Sequence, residues 1–195
     1  MKLIVIRHGQ TKHNAHGRLQ GQRSNESLNL DGANEVRVAL EKISEHRPLV
    51  LYSSPLKRAR ETADIIAKEF GLSVTERNEL MERDFGSLTG LTWNEVANMG
   101  HTKLRELDKS FAYDYRQFGG ENVDNVRSRI KKLLKDFSVI HTDETIACVT
   151  HGGIIRILYD VLEVEQPETT ANASVHVFEI ENFHSKNPFN LIKKI

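Results

Sequence analysis

The chain has 195 residues, a single cysteine, and 27 Lys plus Arg residues against 27 Asp plus Glu residues. This length fits one domain that buries roughly 70% of the surface of its unfolded form. The net charge of zero excludes a global field that would draw the protein to nucleic acid or an acidic membrane, so recognition of an anion must be local. One cysteine excludes an intrachain disulfide, and the apolar run around Cys148 predicts a buried hydrophobic role.

The chain begins with a predicted buried strand that ends in side chains able to carry positive charge. Leu3–Ile6 are apolar and mostly β-branched, and they run directly into Arg7, His8 and Gly9. The carboxyl ends of strands are where open α/β sheets bind ligands. The apolar stretch after Lys2 is too short for a signal peptide and no later stretch approaches a membrane span, so we expect a soluble cytoplasmic protein.

A long loop, a helix and a second strand are predicted next. Residues 9–31 are polar with few apolar anchors, and loops of this length are usually functional. Apolar residues then recur at helical spacing from Gly32, with Asn29 or Asp31 as the candidate cap. Residues 49–52 predict the second strand.

A second helix carries an unusual charge pattern in its first turn. The Ser-Ser-Pro sequence at 53–55 predicts an N-cap followed by a proline in the first turn, and Gly71 predicts the end of the helix. Lys57, Arg58 and Arg60 lie near the positive end of the helix dipole, where each cation costs about 0.3 to 1 kcal/mol. A bound anion would reverse this cost. We assign that role to Arg58 and place the other two cations in solvent.

The middle of the chain predicts a small cap over the site. Residues 72–75 predict a third strand. Aromatic residues between Trp93 and Phe118 lie among charges without a long period, which predicts short helices; they form either a pocket wall for an apolar or ring-bearing substrate or the packing of the cap. Residues 122–137 form the clearest amphipathic helix of the chain.

The strand-to-histidine pattern then returns. The apolar run at 145–150 ends in His151, a helix is predicted over 153–161, and residues 174–180 predict a last strand with His176 facing outward. Alternating strands and helices predict an α/β protein with a mainly parallel sheet covered on both faces.

Each of the two predicted strands therefore brings one histidine, His8 or His151, to the same edge of the sheet, with cations nearby. Guanidinium groups of Arg7 and Arg58 can grip a tetrahedral oxyanion, and a protonated imidazole of His151 adds a further donor. A neutral His8 can attack phosphorus if its other ring nitrogen donates to a fixed acceptor. These side chains together suit a phosphoryl group.

Transfer of a phosphoryl group also needs an acid for the departing alkoxide. A positioned acid is commonly worth about 10² to 10⁴ in rate. Glu82 is the candidate for this role, ahead of Asp84.

Five stretches resemble the signature of the histidine phosphatase superfamily, also called the phosphoglycerate mutase-like family. In chain order they are Arg7-His8-Gly9-Gln10-Thr11 with Asn14, Ser53–Ala63 with Arg58, Glu82–Gly90, Gly119-Gly120-Glu121 and Thr150-His151-Gly152-Gly153. The joint specificity of the five is high. The polar run at 20–29 departs from the pattern because it lacks the Asp and Pro often found there.

The resemblance implies a three-layer α/β/α fold with a mainly parallel central sheet. It implies a single histidine phosphatase domain over 1–195 with a cap-like insertion at about 86–120. The implied activity is metal-independent hydrolysis of a small phosphate ester without a cofactor. His8 would take the phosphoryl group as a phosphohistidine, Glu82 would protonate the leaving oxygen, and water would hydrolyse the intermediate. The residues that would bind the phosphoryl oxygens are Arg7, Asn14, Arg58, His151 and Gly152.

Three other interpretations stay open at this point. A cofactor-dependent phosphoglycerate mutase would use the same phosphohistidine, although the short stretch from Glu82 to His151 favours a phosphatase. A non-catalytic phospholigand-binding module is disfavoured because the nucleophile and the acid are both present. A metal site at His8, His13 and His16 is weak because no carboxylate or thiolate lies nearby in the sequence. A homodimer also stays open.

Overall fold

The computed structural model describes residues 1–167 and 169–180 and the backbone of 191–194. These residues form one six-stranded sheet. Its strands are β1 (Lys2–Arg7), β2 (Val50–Ser53), β3 (Val74–Glu76), β4 (Thr145–Thr150), β5 (Val175–Ile180) and β6 (Leu191–Lys194). The spatial order is β3-β2-β4-β1-β5-β6. The first four strands in this order are parallel, whereas β5 and β6 are antiparallel to their neighbours, which confirms the mainly parallel sheet.

Helices cover both faces of the sheet. They are α1 (Lys12–Ala15), α2 (Leu30–Ser44), α3 (Lys57–Phe70), α4 (Trp93–Asn98), α5 (Leu104–Lys109), α6 (Val123–Ile140) and α7 (Gly152–Val161). Alternation along β1 places Leu3 and Val5 in one core with α6 and α7, and Ile4 and Ile6 in a second core with α2 and α3. This arrangement confirms the three-layer α/β/α fold. Cys148 is buried in the first core, and burial raises the pKa of its thiol.

The ends of two helices test the predicted caps. Asn29 is the N-cap of α2, and its side chain accepts a backbone N–H from the first turn. The cap predicted at 53–55 was wrong, because α3 begins at Lys57 and Leu56 occupies the N-cap position without a side-chain hydrogen bond. The serine hydroxyls there are used elsewhere. Gly71 ends α3 as predicted, with a φ of 65° that a residue with a side chain adopts only at a cost.

Two other predictions differ from the structure. Residues 9–31 are more regular than a continuous loop, since Thr11 caps the single turn of α1 and α2 begins within the stretch. His176 is buried and does not face outward; its ring nitrogens lie 2.9 Å from the hydroxyl groups of Tyr159 and Ser174. Alternation alone missed this because both faces of β5 are covered. Within the described ranges, no helix is long and apolar enough to cross a bilayer.

Candidate active site

The neighbouring strands β1 and β4 end beside each other and bring the two predicted histidines together. Arg7 pairs with Thr150 in the ladder, so the residues that follow, His8 and His151, leave the sheet at the same edge. Their ring centroids are 5.1 Å apart with the planes tilted by 59°. A cavity of about 300 Å³ opens at this edge.

Most of the predicted site residues line this cavity, which has two ends that differ in burial. We call the lining around His8 the inner end, made of the buried His8 and Arg58 and the half-buried Arg7, Glu82 and Gly152. The rest is the outer end, made of the half-buried Trp93 and Arg156 and the exposed Arg18, Arg105 and Lys109. Asn14 also lines the cavity. His151 is fully buried next to the His8 ring.

His8 is held in a form suited to nucleophilic attack. Its Nδ1 lies 2.7 Å from the carbonyl oxygen of Gly9, and this acceptor fixes the proton on Nδ1. The lone pair therefore lies on Nε2, which accepts from Arg58 Nε at 3.3 Å. Burial, together with the charges of Arg58 and Arg7, holds the pKa of His8 well below its usual value. The imidazole is therefore neutral near pH 7.

The surroundings of His151 favour a neutral ring over the protonated imidazole expected from the sequence. Burial, Arg58 and His8 hold the pKa of His151 well below its usual value. Its Nε2 lies 2.8 Å from Ser54 Oγ, which accepts the backbone N–H of Leu56 at 3.3 Å. The Ser54 hydroxyl can therefore donate to Nε2, which leaves the ring proton on Nδ1. Among the described residues, Nδ1 has no hydrogen-bond partner.

The three cations at the start of α3 separate as predicted. Arg58 is 1% exposed, and its Nη1 and Nη2 donate to the carbonyl oxygens of Ser24 and Gly21, each at 2.8 Å. Burial lowers the pKa of Arg58 to about 10. Lys57 is exposed and Arg60 pairs with carboxylates at the surface. Two of the three cations therefore face away from the site.

Arg7 and the start of α7 form the opposite wall of the inner end. Arg7 Nη1 donates to the carbonyl oxygen of Thr170, and its buried Nε has no hydrogen-bond partner among the described residues. Burial lowers the pKa of Arg7. Gly152 lies so close that a Cβ there would be 3.3 Å from Arg7 Nε. Asn14 is fixed by its Oδ1, which accepts the N–H of Thr11 at 3.1 Å.

Glu82 is the carboxylate of the inner end. Its Oε1 and Oε2 accept the backbone N–H groups of Arg83 and Gly153, at 3.0 and 3.1 Å. A Cβ at Gly153 would lie 2.3 Å from Oε1, so the carboxylate fits only beside a glycine. Asp84, the alternative acid, pairs with Arg23 at 2.9 Å and does not line the cavity. The structure therefore favours Glu82 over Asp84.

Two residues that support the site were not predicted. Ser54, interpreted as a helix cap, instead contacts His151. Arg129 of α6 donates to the carbonyl oxygens of Glu79 and Met81, at 2.6 and 2.7 Å, and to that of Glu82 at 3.2 Å. This arginine fixes the backbone that carries the carboxylate. One cation on the polar side of an amphipathic helix carries no signal of such a role in the sequence.

The aromatic residues of the predicted cap mainly pack. Tyr113 and Tyr115 are buried with ring centroids 4.8 Å apart, whereas Trp93 lines the cavity. His13 pairs with Glu26 at 3.5 Å. In the part of the chain that the structure describes, no group of three His, Cys, Asp or Glu residues is arranged to hold a metal ion.

A neutral buried imidazole beside the buried Arg58 and the half-buried Arg7, at the carboxyl ends of parallel strands, defines a site of the phosphoryl-transfer class. The chain belongs to the histidine phosphatase superfamily (branch 1), whose family profile matches residues 3–187. Its sequence is 36% identical over 190 residues to the metal-independent phosphoserine phosphatase of Arabidopsis thaliana, over 93% of this chain and 77% of that protein. It is 31% identical to the glucosyl-3-phosphoglycerate phosphatase of Mycolicibacterium vanbaalenii, over 80% of this chain and 72% of that protein.

Solved structures agree with this assignment. A mycobacterial glucosyl-3-phosphoglycerate phosphatase in complex with VO3 superposes with a TM-score of 0.84 at 26% identity, over 97% of this chain and 96% of that one. The phosphoserine phosphatase of Entamoeba histolytica in complex with 3-phosphoglyceric acid superposes with a TM-score of 0.79 at 26% identity, over 99% and 95% of the two chains. The chain is therefore a histidine phosphatase, which confirms the fold and enzyme class predicted from the sequence.

Proposed function

We propose that this protein hydrolyses small phosphate monoesters through a phosphohistidine on His8, without a metal. The observation that carries the proposal is the position of the His8 ring, whose Nδ1 lies 2.7 Å from the carbonyl oxygen of Gly9. The carbonyl of Gly9 fixes the proton on Nδ1, so the lone pair lies on Nε2 beside Arg58, and His8 lines the cavity. A buried neutral imidazole with one nitrogen anchored in this way is an activated nucleophile.

Donors around His8 would hold the phosphoryl oxygens. Arg7 Nε and His151 Nδ1 are buried and lack hydrogen-bond partners among the described residues. Phosphoryl oxygens would satisfy both atoms, and leaving such groups unpaired is costly. Arg58, Asn14 and the first N–H groups of α7 at Gly152 complete the binding set, since a helix N-terminus favours an anion.

Glu82 would supply and recover the proton. As the bond from His8 Nε2 to phosphorus forms, the bond to the ester oxygen breaks and Glu82 gives that oxygen its proton. Glu82 then takes a proton from water, and the water oxygen attacks phosphorus and breaks the bond to Nε2. Phosphate leaves and neutral His8 is restored.

The proposed architecture is one histidine phosphatase domain over 1–195, in which residues 86–120 form a cap beside the outer end. The names of the relatives favour a substrate of metabolite size, such as phosphoserine or a phosphoglycerate derivative. The cavity volume of about 300 Å³ agrees with such a substrate. A cytoplasmic location and a homodimer stay predictions.

Replacement of the nucleophile tests the proposal. In the presence of a chelator, His8→Ala is expected to lower the release of phosphate from p-nitrophenyl phosphate, O-phosphoserine and 3-phosphoglycerate by at least about 10³-fold. Radiolabelled substrate should leave an acid-labile label on the wild type and none on the variant. His13→Ala, in α1 and outside the cavity lining, is the matched control and should keep the wild-type rate.

Two results would contradict the proposal. Wild-type rates in His8→Ala would remove the nucleophile. Conversion of 3-phosphoglycerate into 2-phosphoglycerate with little release of phosphate would instead establish a mutase.

A further inference from the structure

The carbonyl that orients His8 belongs to a peptide group whose other half is held by a carboxylate. The Gly9 carbonyl oxygen lies 2.7 Å from His8 Nδ1, and the N–H of the same peptide group, on Gln10, donates to Glu35 Oε2 at 2.8 Å. Glu35 lies on α2 and does not line the cavity at the active site. A single peptide group therefore connects the nucleophile to a carboxylate outside that cavity.

Close packing of α2 against the residues after β1 brings this carboxylate into place. A Cβ at Gly9 would overlap the carbonyl oxygen of Gly32, and a Cβ at Gly32 would overlap the backbone of Gln10. Asn29, the N-cap of α2, donates its backbone N–H to the Gln10 carbonyl oxygen at 3.0 Å and its side-chain N–H to Gln10 Oε1 at 2.8 Å. These contacts do not involve the side chain of Glu35, so we expect the backbone to stay in place when that side chain is replaced.

The preceding peptide group is held by α3 through a neutral side chain. The N–H of Gly9 donates to Thr62 Oγ1 at 3.1 Å, and the Thr62 hydroxyl donates to the carbonyl oxygen of Arg58 at 2.8 Å. Thr62 is fully buried. Of the two side chains that hold the N–H groups of Gly9 and Gln10, only Glu35 is a carboxylate.

Nucleophilic attack places positive charge on the His8 ring, in surroundings that oppose it. When the lone pair of Nε2 forms the bond to phosphorus, the proton stays on Nδ1 and the ring becomes cationic. Burial and the charges of Arg58 and Arg7 disfavour a cationic His8. In Ser-His-Asp triads, a carboxylate on the far side of the imidazole stabilises the imidazolium that forms. His8 has a backbone carbonyl in that position, so stabilisation of its ring depends on how strong an acceptor this carbonyl is.

We propose that Glu35 is a positioning residue for the nucleophile: it holds and polarises the peptide group between Gly9 and Gln10, so that the Gly9 carbonyl stabilises the charge that develops on His8. Hydrogen bonds in a chain strengthen one another, and a charged acceptor makes the stronger bond. The inference rests on the proposed function, since attack by His8 is what creates this charge. The effect belongs to formation of the phosphohistidine and does not depend on the leaving group.

Substitution of Glu35 tests the inference through kcat/KM, which reports the steps up to formation of the phosphohistidine. Glu35→Leu removes the acceptor at similar volume and should lower kcat/KM by about 10- to 30-fold. The loss should be equal on p-nitrophenyl phosphate and O-phosphoserine, whereas loss of the acid would spare the aryl ester. Glu35→Gln keeps an acceptor oxygen without the charge and should lose only about threefold.

Glu41→Leu is the matched control. Glu41 is an exposed carboxylate further along the same helix and does not line the cavity. The variant removes the same charge from α2 without touching the residues after β1, so it should keep the wild-type kcat/KM on both esters.

The proton on His8 Nδ1 gives a readout that does not require turnover. In protein labelled with 15N-histidine, its resonance is assigned by its loss in His8→Gln. A weaker hydrogen bond to the Gly9 carbonyl moves this proton upfield. The resonance should therefore shift upfield in Glu35→Leu, shift less in Glu35→Gln, and stay in place in Glu41→Leu.

The outcomes separate this inference from the proposed function. A kcat/KM of Glu35→Leu within about twofold of the wild type, or an unshifted His8 resonance in that variant, would overturn the role of Glu35 and leave the proposed function intact. A loss in Glu35→Gln as large as that in Glu35→Leu would also overturn it, because the restored acceptor should recover part of the rate. Hydrolysis that persists at the wild-type rate in His8→Ala would overturn the proposed function itself.

Discussion

The inner end of the cavity and the α5 side of its outer end hold their charges in opposite ways. At the inner end, the backbone fixes each charged side chain: two carbonyl groups hold Arg58 and two N–H groups hold Glu82. At the outer end, Arg105 and Lys109 are exposed and form no ion pair with the described residues. Groups that are fixed in advance stabilise developing charge without reorganisation. The inner end is therefore built for the chemistry, and the outer end can adapt to the leaving group.

The largest effect that sharpens this comparison comes from the carboxylate of the inner end. Glu82→Gln should lower kcat/KM for alkyl phosphates by about 10² to 10⁴ and for p-nitrophenyl phosphate far less, because the aryl oxide leaves without a proton. The ratio of the two rates is the measurement.

Asp84→Asn is the control for this substitution. Asp84 pairs with Arg23 outside the cavity lining, so its variant should change the ratio by less than about threefold. Equal losses on alkyl and aryl phosphates in Glu82→Gln would show that Glu82 is not the acid.

A smaller effect is expected from a single methyl group at the inner end. The Cβ of Gly153→Ala would lie 2.3 Å from Glu82 Oε1, so the carboxylate must move while the helix gains the better helix-forming residue. We expect a loss of about 10- to 100-fold on alkyl phosphates and little on aryl phosphates. The same Cβ would lie 2.9 Å from Nε of the buried Arg83, so thermal stability should also fall.

The neighbouring glycine gives a matched comparison. At Gly152 the nearest atom to a Cβ is Thr170 Oγ1 at 3.2 Å, a contact that a small shift relieves. Gly152→Ala should therefore cost only a few-fold in kcat/KM. Similar losses and similar leaving-group dependence in both variants would mean that the position of Glu82 is not what Gly153 preserves.

The inner end was largely predictable because its residues follow strong local signals. His8 and His151 come directly after apolar strands, and neighbouring parallel strands bring their carboxyl ends together. Arg58 stands out because a cation in the first helical turn opposes the dipole. Each signal is either the end of an apolar strand or a charge that opposes a helix dipole, and both can be recognised from a few neighbouring residues.

The supports of the inner end and the outer end were not predictable in this way. Ser54 and Arg129 act through contacts with residues 97 and 47 to 50 positions away, and nothing near them in the sequence marks those contacts. Arg105 and Lys109 look like a solvated helix face. Arg105 and Lys109 line the cavity only because of where α5 packs in the fold, and local sequence patterns do not determine that position.

The smallest effect concerns the cost of keeping two imidazoles neutral at the inner end. Burial, together with Arg58, holds the pKa values of His8 and His151 well below the usual value, whereas both titrate near 6.5 in the unfolded chain. Below pH 6.5 the unfolded state therefore binds protons that the folded state does not, and the free energy of unfolding falls as the pH falls toward the folded pKa values. The slope that each histidine contributes grows as the unfolded state becomes protonated, and it approaches about 1.4 kcal/mol per pH unit well below pH 6.5.

Urea unfolding between pH 7.5 and 5.5 measures how the free energy of unfolding depends on pH. A single substitution then separates the contribution of His8 from that of His151. His8→Gln should remove the share of one histidine, about 1.4 kcal/mol in total between pH 7.5 and 5.5, whereas His16→Gln, at an exposed position, should leave the slope unchanged. An unchanged slope in His8→Gln would mean that His8 is protonated to the same extent in both states. The neutral nucleophile on which the inner end depends would then be lost, while the outer end would be unaffected.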